Sequence, residues 1–188
     1  MDIERTRATR PPLTPRGATR RPELETARLR LRQFRDDDLD AYARITSDAE
    51  TMRHLASGAP FTRDEALRSL GYIFGHWQIR GYGLWAVEEK ASRALVGRIG
   101  LLRPDGWPGL EVAWLVARER WREGFATEGA RAALAHAFTA LAASRVISLI
   151  APENTTSIRV AERLGLRYAE ARQVDGRIAS VYEIASGE

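Results

Sequence analysis

Glu111-Val-Ala-Trp-Leu-Val-Ala-Arg-Glu-Arg-Trp-Arg-Glu-Gly-Phe-Ala-Thr-Glu128 is the stretch that decides the fold. Leu110, just before it, falls in phase with Val112, Trp114 and Val116, while Glu111, Ala113 and Leu115 take the other phase. That period of two belongs to a strand with two distinct faces. A polar turn containing Gly124 follows, and a helix begins near Ala126. Ala126, Ala130, Ala133, Leu134, Ala137, Phe138 and Leu141 mark its apolar stripe. Val146–Ile150 is again a short apolar strand. Strand, helix and strand over Leu110–Ile150 require a parallel pair of strands.

Upstream, Arg28–Phe34 alternates leucine with arginine and reads as a half-buried strand. Asp36-Asp37-Asp38 opens a short helix with Leu39 and Tyr42 inward, since acidic residues suit the positive end of the helix dipole. Thr62-Arg63-Asp64-Glu65 fits a capping box, and Ala66, Leu67, Leu70, Ile73, Phe74 and Trp77 continue it at helical spacing. Gly81 and Gly83 stop that helix. Leu84–Glu88 and Leu95–Leu102 are strands, and Pro104–Gly109 is a strong turn. Downstream, the helix Thr155–Leu164 ends at Gly165. Arg167–Val174 and Arg177–Ile184 then flank Asp175-Gly176, favoured hairpin chemistry. The order β-α-α-β-β-β-α-β-α-β-β predicts a mixed α/β (α+β) fold. Its central mixed sheet has about seven strands flanked by about four helices on both faces.

The 188 residues set one compact domain as the expectation. Residues 1–22, with four prolines and six arginines against Asp2 and Glu4, read as a disordered basic N-terminal tail ahead of a domain over 23–188. Taking those six from the 29 basic residues and those two from the 25 acidic ones leaves 23 of each, so the domain itself is neutral. A nucleic-acid-binding core carries a basic excess of its own, which disfavours that partner. Cysteine is absent, excluding disulfides and thiolate zinc sites. His54, His76 and His136 lack ligand spacing, and no metal is expected. No apolar run approaches the roughly 20 residues of a membrane helix, and the N-terminus lacks the apolar stretch of a secretory signal. The expected setting is cytoplasmic, with no membrane partner.

The turn into the second helix carries chemistry. A helix start presents unpaired N–H groups and a positive dipole end. Gly124 removes bulk so that these amides can approach an anion, and Gly129, Ala130 and Ala133 let the helix sit close to the sheet. The same sequence also suits an ordinary βα turn. GxGxxG and GxxxxGK[ST] are both missing, which disfavours a Rossmann dinucleotide site or a Walker NTPase.

Trp121-Arg122-Glu123-Gly124-Phe125-Ala126-Thr127-Glu128 resembles the acetyl-CoA loop of the GCN5-related N-acetyltransferases (GNAT), whose pattern is Gln/Arg-x-x-Gly-x-Gly/Ala. Gly124 and Ala126 match, and Trp121 replaces the polar first residue as in the RimJ/RimL-like branch. Pro152–Leu166 is similar to that branch's Asn-x-x-Ser segment through Asn154, Ser157 and Gly165, with Leu166 replacing the usual aromatic residue. Leu24–Arg32 looks like its opening strand. The likeness spans about residues 23–185 in the expected order.

The resemblance implies acetyl transfer from acetyl-CoA to a primary amine, on a small molecule or a protein N-terminus, in a direct ternary complex. It implies that Arg122, Glu123, Gly124, Phe125, Ala126 and Thr127 hold the pyrophosphate, that a backbone N–H near Leu115 or Val116 serves the thioester carbonyl, and that Asn154 orients pantetheine or a water. Glu111, a carboxylate with apolar neighbours, is the expected base, and Ser157 the expected donor to the leaving thiolate. Asn154 and Ser157 equally suit a helix cap, and Glu111 an ion-paired edge residue. Tyr168 is an alternative acid, and Trp85 or Trp114 a border of the acceptor pocket. A homodimer is compatible with the sequence. The competing reading is a catalytically silent acyl-CoA sensor of the same shape.

Overall fold

The computed structural model describes residues 21–55 and 58–187. The strands are β1 (Leu24–Glu25), β2 (Leu29–Arg32), β3 (Leu84–Glu89), β4 (Leu95–Leu102), β5 (Glu111–Val116), β6 (Arg145–Ile150), β7 (Arg167–Val174) and β8 (Arg177–Ala185). The helices are α1 (Leu39–Thr46), α2 (Ala49–Met52), α3 (Arg63–Arg80), α4 (Phe125–Thr139) and α5 (Thr155–Arg163). All eight strands form one sheet, ordered β1-β2-β3-β4-β5-β6-β8-β7. Neighbours run antiparallel except β5 and β6, the parallel pair that the strand–helix–strand passage requires.

Two elements beyond the sequence expectation are short. β1 is a two-residue strand, and α2 is a single turn capped by Asp48, whose side chain accepts from Thr51 N–H. Neither is long enough to show a period. Asp36–Asp38 forms a 3₁₀ turn leading into α1, rather than the helix start itself. The capping box at Thr62 and Glu65 forms as expected, and α3 ends at Gly81. Its apolar stripe is narrower than the periodicity suggested: Leu70, Ile73 and Trp77 are buried, whereas Leu67 and Phe74 face outward.

The segment 1–22, expected to be a tail, lies outside the described residues except for Arg21 and Pro22. Arg21 donates to Gln33 and Gln78, and the Pro22 carbonyl accepts the Trp85 indole N–H at 2.7 Å.

Helix α4 lies against one face of the sheet at close range. A Cβ at Gly129 would stand 2.6 Å from Ile99 Cδ1, so a side chain there would push helix and sheet apart. Ala130, Ala133 and Ala137 are fully buried beside it. Ile99 pairs with Trp114, so Ile99, Leu101, Val112 and Trp114 share this face. Arg98, Glu111, Ala113 and Leu115 point to the other, where Leu115 packs with Ile45 of α1 and Met52 of α2.

Candidate active site

The sheet opens between β5 and β6. Glu111 and Ile147 form the ladder pair that joins them, and Ile147 N–H donates to the Leu110 carbonyl at 2.8 Å. By contrast β5 pairs with β4 along its whole length, and β6 likewise with β8. Past Glu111 the two parallel strands part, leaving backbone groups of the opening to be met by something other than a ladder.

Glu111 stands where they part. It is 7% exposed. Trp107 Nε1 donates to its Oε2 at 2.5 Å, and Leu149 N–H of β6 to its Oε1 at 3.3 Å. Burial pushes the carboxyl up to about 7, against the two donors and the charge of Arg98, which favour the ionised form. Tyr72 of α3 lies close enough that burial and then the Glu111 charge raise its phenol, with Asp175 of the β7–β8 turn adding to this. His54 Nδ1 lies 3.7 Å from Glu153 Oε1, and a Cβ at Gly58 would meet the Arg177 guanidinium at 3.6 Å.

On the opposite face, Trp114 Nε1 donates to Ser157 Oγ at 3.3 Å. Asn154 caps α5, its Oδ1 accepting from Ser157 N–H at 3.1 Å. Both residues are half-buried. Glu111 and Ser157 are therefore served by opposite faces of the same strand, one through its own side chain and one through Trp114.

The turn into α4 is built on two left-handed residues. Arg122 has φ 65° and Gly124 φ 85°. Gly124 is the N-cap and makes no side-chain cap bond, so the first N–H groups of α4 are left to an external partner. Arg122, Glu123 and Gly124 are exposed, Phe125 is buried, and Ala126 and Thr127 are half-buried. Trp121 folds back so that its Nε1 donates to the Val116 carbonyl at 2.8 Å. Leu115 and Val116 are buried at the far end of β5.

Sequence reasoning passed over the brace behind this turn. Glu128, in the first turn of α4, accepts from Thr26 Oγ1 at 2.5 Å, from Arg28 N–H at 2.9 Å and from Arg28 Nε at 2.7 Å. Arg28 also donates to the Glu123 carbonyl at 2.9 Å. Arg28 and Arg120 lie over the Phe125 ring, 4.6 and 5.0 Å from its centre. The signal available was an acidic residue in the first turn of the helix; its partner, about a hundred residues earlier, had no local signature. Tyr168 is 56% exposed and stacks edge-on against Tyr182. Trp85 is buried between Trp77 and His136, which makes it core. Among the described residues no cluster of His, Asp or Glu is placed to hold a metal, and no helix is long and apolar enough to cross a membrane.

Residues 28–167 match the acetyltransferase (GNAT) domain. The chain belongs to that family and is an acetyltransferase. The uncharacterized N-acetyltransferase YoaA of Bacillus subtilis (strain 168) is 27% identical over 147 residues, covering 78% of this chain and 83% of its own. An acetyltransferase structure from Agrobacterium tumefaciens str. C58 superposes with a TM-score of 0.78 at 26% identity, covering 88% of this chain and 95% of its own. RimL, described as a ribosomal L7/L12 alpha-N-protein acetyltransferase in complex with coenzyme A, shares the fold. Its TM-score is 0.70 at 13% identity, over 85% of this chain and 95% of its own.

Proposed function

We propose that this protein transfers acetyl from acetyl-CoA to a primary amine by direct attack, with Glu111 as the base. The observation that carries the reading is a buried carboxylate, pushed up to about 7, at the point where β5 and β6 part. A protonated amine has no lone pair with which to attack. Glu111, close to half ionised near neutral pH, takes that proton directly or through a water. Its buried setting supplies the raised proton affinity, and its two donors fix its orientation.

Acetyl-CoA supplies the activated acyl group when bound, and the residues present suit it. The left-handed Arg122 and Gly124 turn the uncapped start of α4 outward as a cradle for pyrophosphate oxygens. The turn through Thr127 forms its wall, with Glu123 and Phe125 held by Arg28 behind it. Leu115 and Val116 offer backbone on the opened edge of β5 for the thioester carbonyl. Ser157 donates its hydroxyl proton toward the departing sulfur, and Asn154 holds the first turn of α5 that presents it.

The acceptor is a small-molecule amine or a protein N-terminus. The second option and the RimJ/RimL-like branch draw support from Asn154, Ser157 and the fold shared with RimL. The neutral domain disfavours nucleic acid as a partner, and the setting we propose is cytoplasmic. A broad amine screen with acetyl-CoA, read by thiol release, tests the reading. Turnover on at least one amine is expected. Tight acetyl-CoA binding with no turnover on any amine replaces it with the sensor reading.

A further inference from the structure

Arg98 of β4 is a cation with no carboxylate in direct contact among the described residues. Its guanidinium makes no hydrogen bond and no ion pair among the described residues, although most arginines around the domain find a carboxylate. Its Nε is buried and unsatisfied. A buried donor without an acceptor costs on the order of 1–3 kcal/mol, so such a group in a folded protein calls for an explanation.

The sheet register places Arg98 opposite Leu115, on the face that bears Glu111. Between Leu115 and Glu111 stands Ala113, whose single methyl keeps the sheet surface low. The Arg98 charge reaches Glu111 and favours its ionised form. Arg98 therefore belongs to the acceptor side of the opening, across β5 from Ser157.

We propose that Arg98 recognises a carboxylate carried by the acceptor itself, so that the substrate is an amine bearing a carboxylate. This rests on the acetyl-transfer reading above. The guanidinium offers a planar fork of donors that matches a carboxylate, and its terminal nitrogens have no acceptor within the described residues. Glu111 then takes the ammonium proton at one end of the acceptor while Arg98 holds the other. A phosphate is the poorer match. Glu111 and Asp175 place negative charge near Tyr72, with Arg80 partly offsetting it, so a dianion meets more repulsion there than a monoanionic carboxylate.

The test uses acceptors matched in all but charge: glycine and glycinamide, β-alanine and β-alaninamide, and C-terminally amidated Glu-Ala-Ala and Gln-Ala-Ala. O-phosphoethanolamine is the phosphate arm. The wild type is expected to favour the acidic member of at least one pair tenfold or more in kcat/KM, and to favour it over O-phosphoethanolamine. Arg98→Gln should bring that ratio to about one, and Arg98→Lys should restore part of it. Equal use of all pairs, a ratio that survives in Arg98→Gln, or preference for O-phosphoethanolamine overturns the proposal. Melting temperature and acetyl-CoA calorimetry on both variants report their fold. If no amine is acetylated, the acetyl-transfer reading fails. Calorimetry of the same pairs on the CoA-loaded protein then decides for Arg98: binding of an acidic member lost in Arg98→Gln supports it, and no charge preference overturns it.

Discussion

Trp107 donates its indole N–H to Glu111 Oε2 at 2.5 Å, reaching the carboxylate from the turn that precedes β5. Leu149 N–H approaches the other oxygen from β6. The carboxylate is thus gripped by the two elements that flank the opening in the sheet. Both bonds favour the charged form, and burial disfavours it more strongly. The balance leaves a group that both takes up and releases a proton near neutral pH, as a base must to turn over.

Trp107→Phe keeps most of the ring and removes the donor. Losing a bond to the ionised carboxylate raises its proton affinity further. A charge-assisted bond contributes about 1.5–3 kcal/mol, so the rising limb of the pH–rate profile should move upward by about one to two units. Activity at pH 7 falls and returns at higher pH. A profile that drops uniformly at every pH would show that Trp107 only supports packing.

Gly124 tests the cofactor turn. Its φ of 85° is one that side chains rarely adopt, and a left-handed non-glycine residue costs about 1–2 kcal/mol. Gly124→Ala should therefore lower stability by about that much and weaken acetyl-CoA modestly. Gly124→Glu adds a negative charge at the uncapped start of α4 and should abolish acetyl-CoA binding while the domain still melts cooperatively. Calorimetry showing equal affinity for the two variants would remove the cradle from this turn.

The parts of this site that could be read in the sequence share one property: their signal is local. The alternation around Glu111 gave the strand and the face, and Gly124 gave the turn into α4. The Asn154–Ser157 spacing gave a cap, which forms. What escaped notice depends on distant pairing. Glu128 gains its meaning from Thr26 and Arg28, and Arg98 from the absence of a partner, which no sequence pattern records. Leu67 and Phe74 show the converse failure. Their spacing is helical and apolar, but α3 packs through a narrower stripe than its composition suggests.

The N-terminal boundary can be set by truncation. Residues 1–20 hold few apolar anchors, and their deletion should leave melting temperature and acetyl-CoA affinity unchanged. Deleting 1–22 also removes the Pro22 carbonyl that accepts the Trp85 indole N–H. Trp85 is fully buried, and an orphaned donor costs about 1–3 kcal/mol. The longer truncation should melt several degrees lower. Equal melting of the two would place the boundary after Pro22.

Glu111→Gln separates base catalysis from mere binding. It keeps the shape and removes the proton acceptor, and the acetyl-CoA turn lies beyond the far end of the strand, so cofactor affinity should survive. Turnover should fall by roughly 10²–10⁴-fold near neutral pH, with a smaller loss at high pH, where the free amine needs no base. Ser157→Ala should lower turnover without that recovery. Stability gives an independent reading of the same group. The Glu111 carboxyl rises from 4.5 to about 7 on folding, so the folded state holds the proton more tightly. The wild type is favoured by this below about pH 4.5 and loses the advantage as pH climbs to about 7. The glutamine variant carries no such proton. Its stability relative to wild type should therefore rise between pH 5 and pH 8, by at most about 3 kcal/mol. Denaturant melts of both proteins across that range measure it. A difference that stays flat with pH would mean that Glu111 titrates at its ordinary value and lacks the raised proton affinity on which the base reading rests.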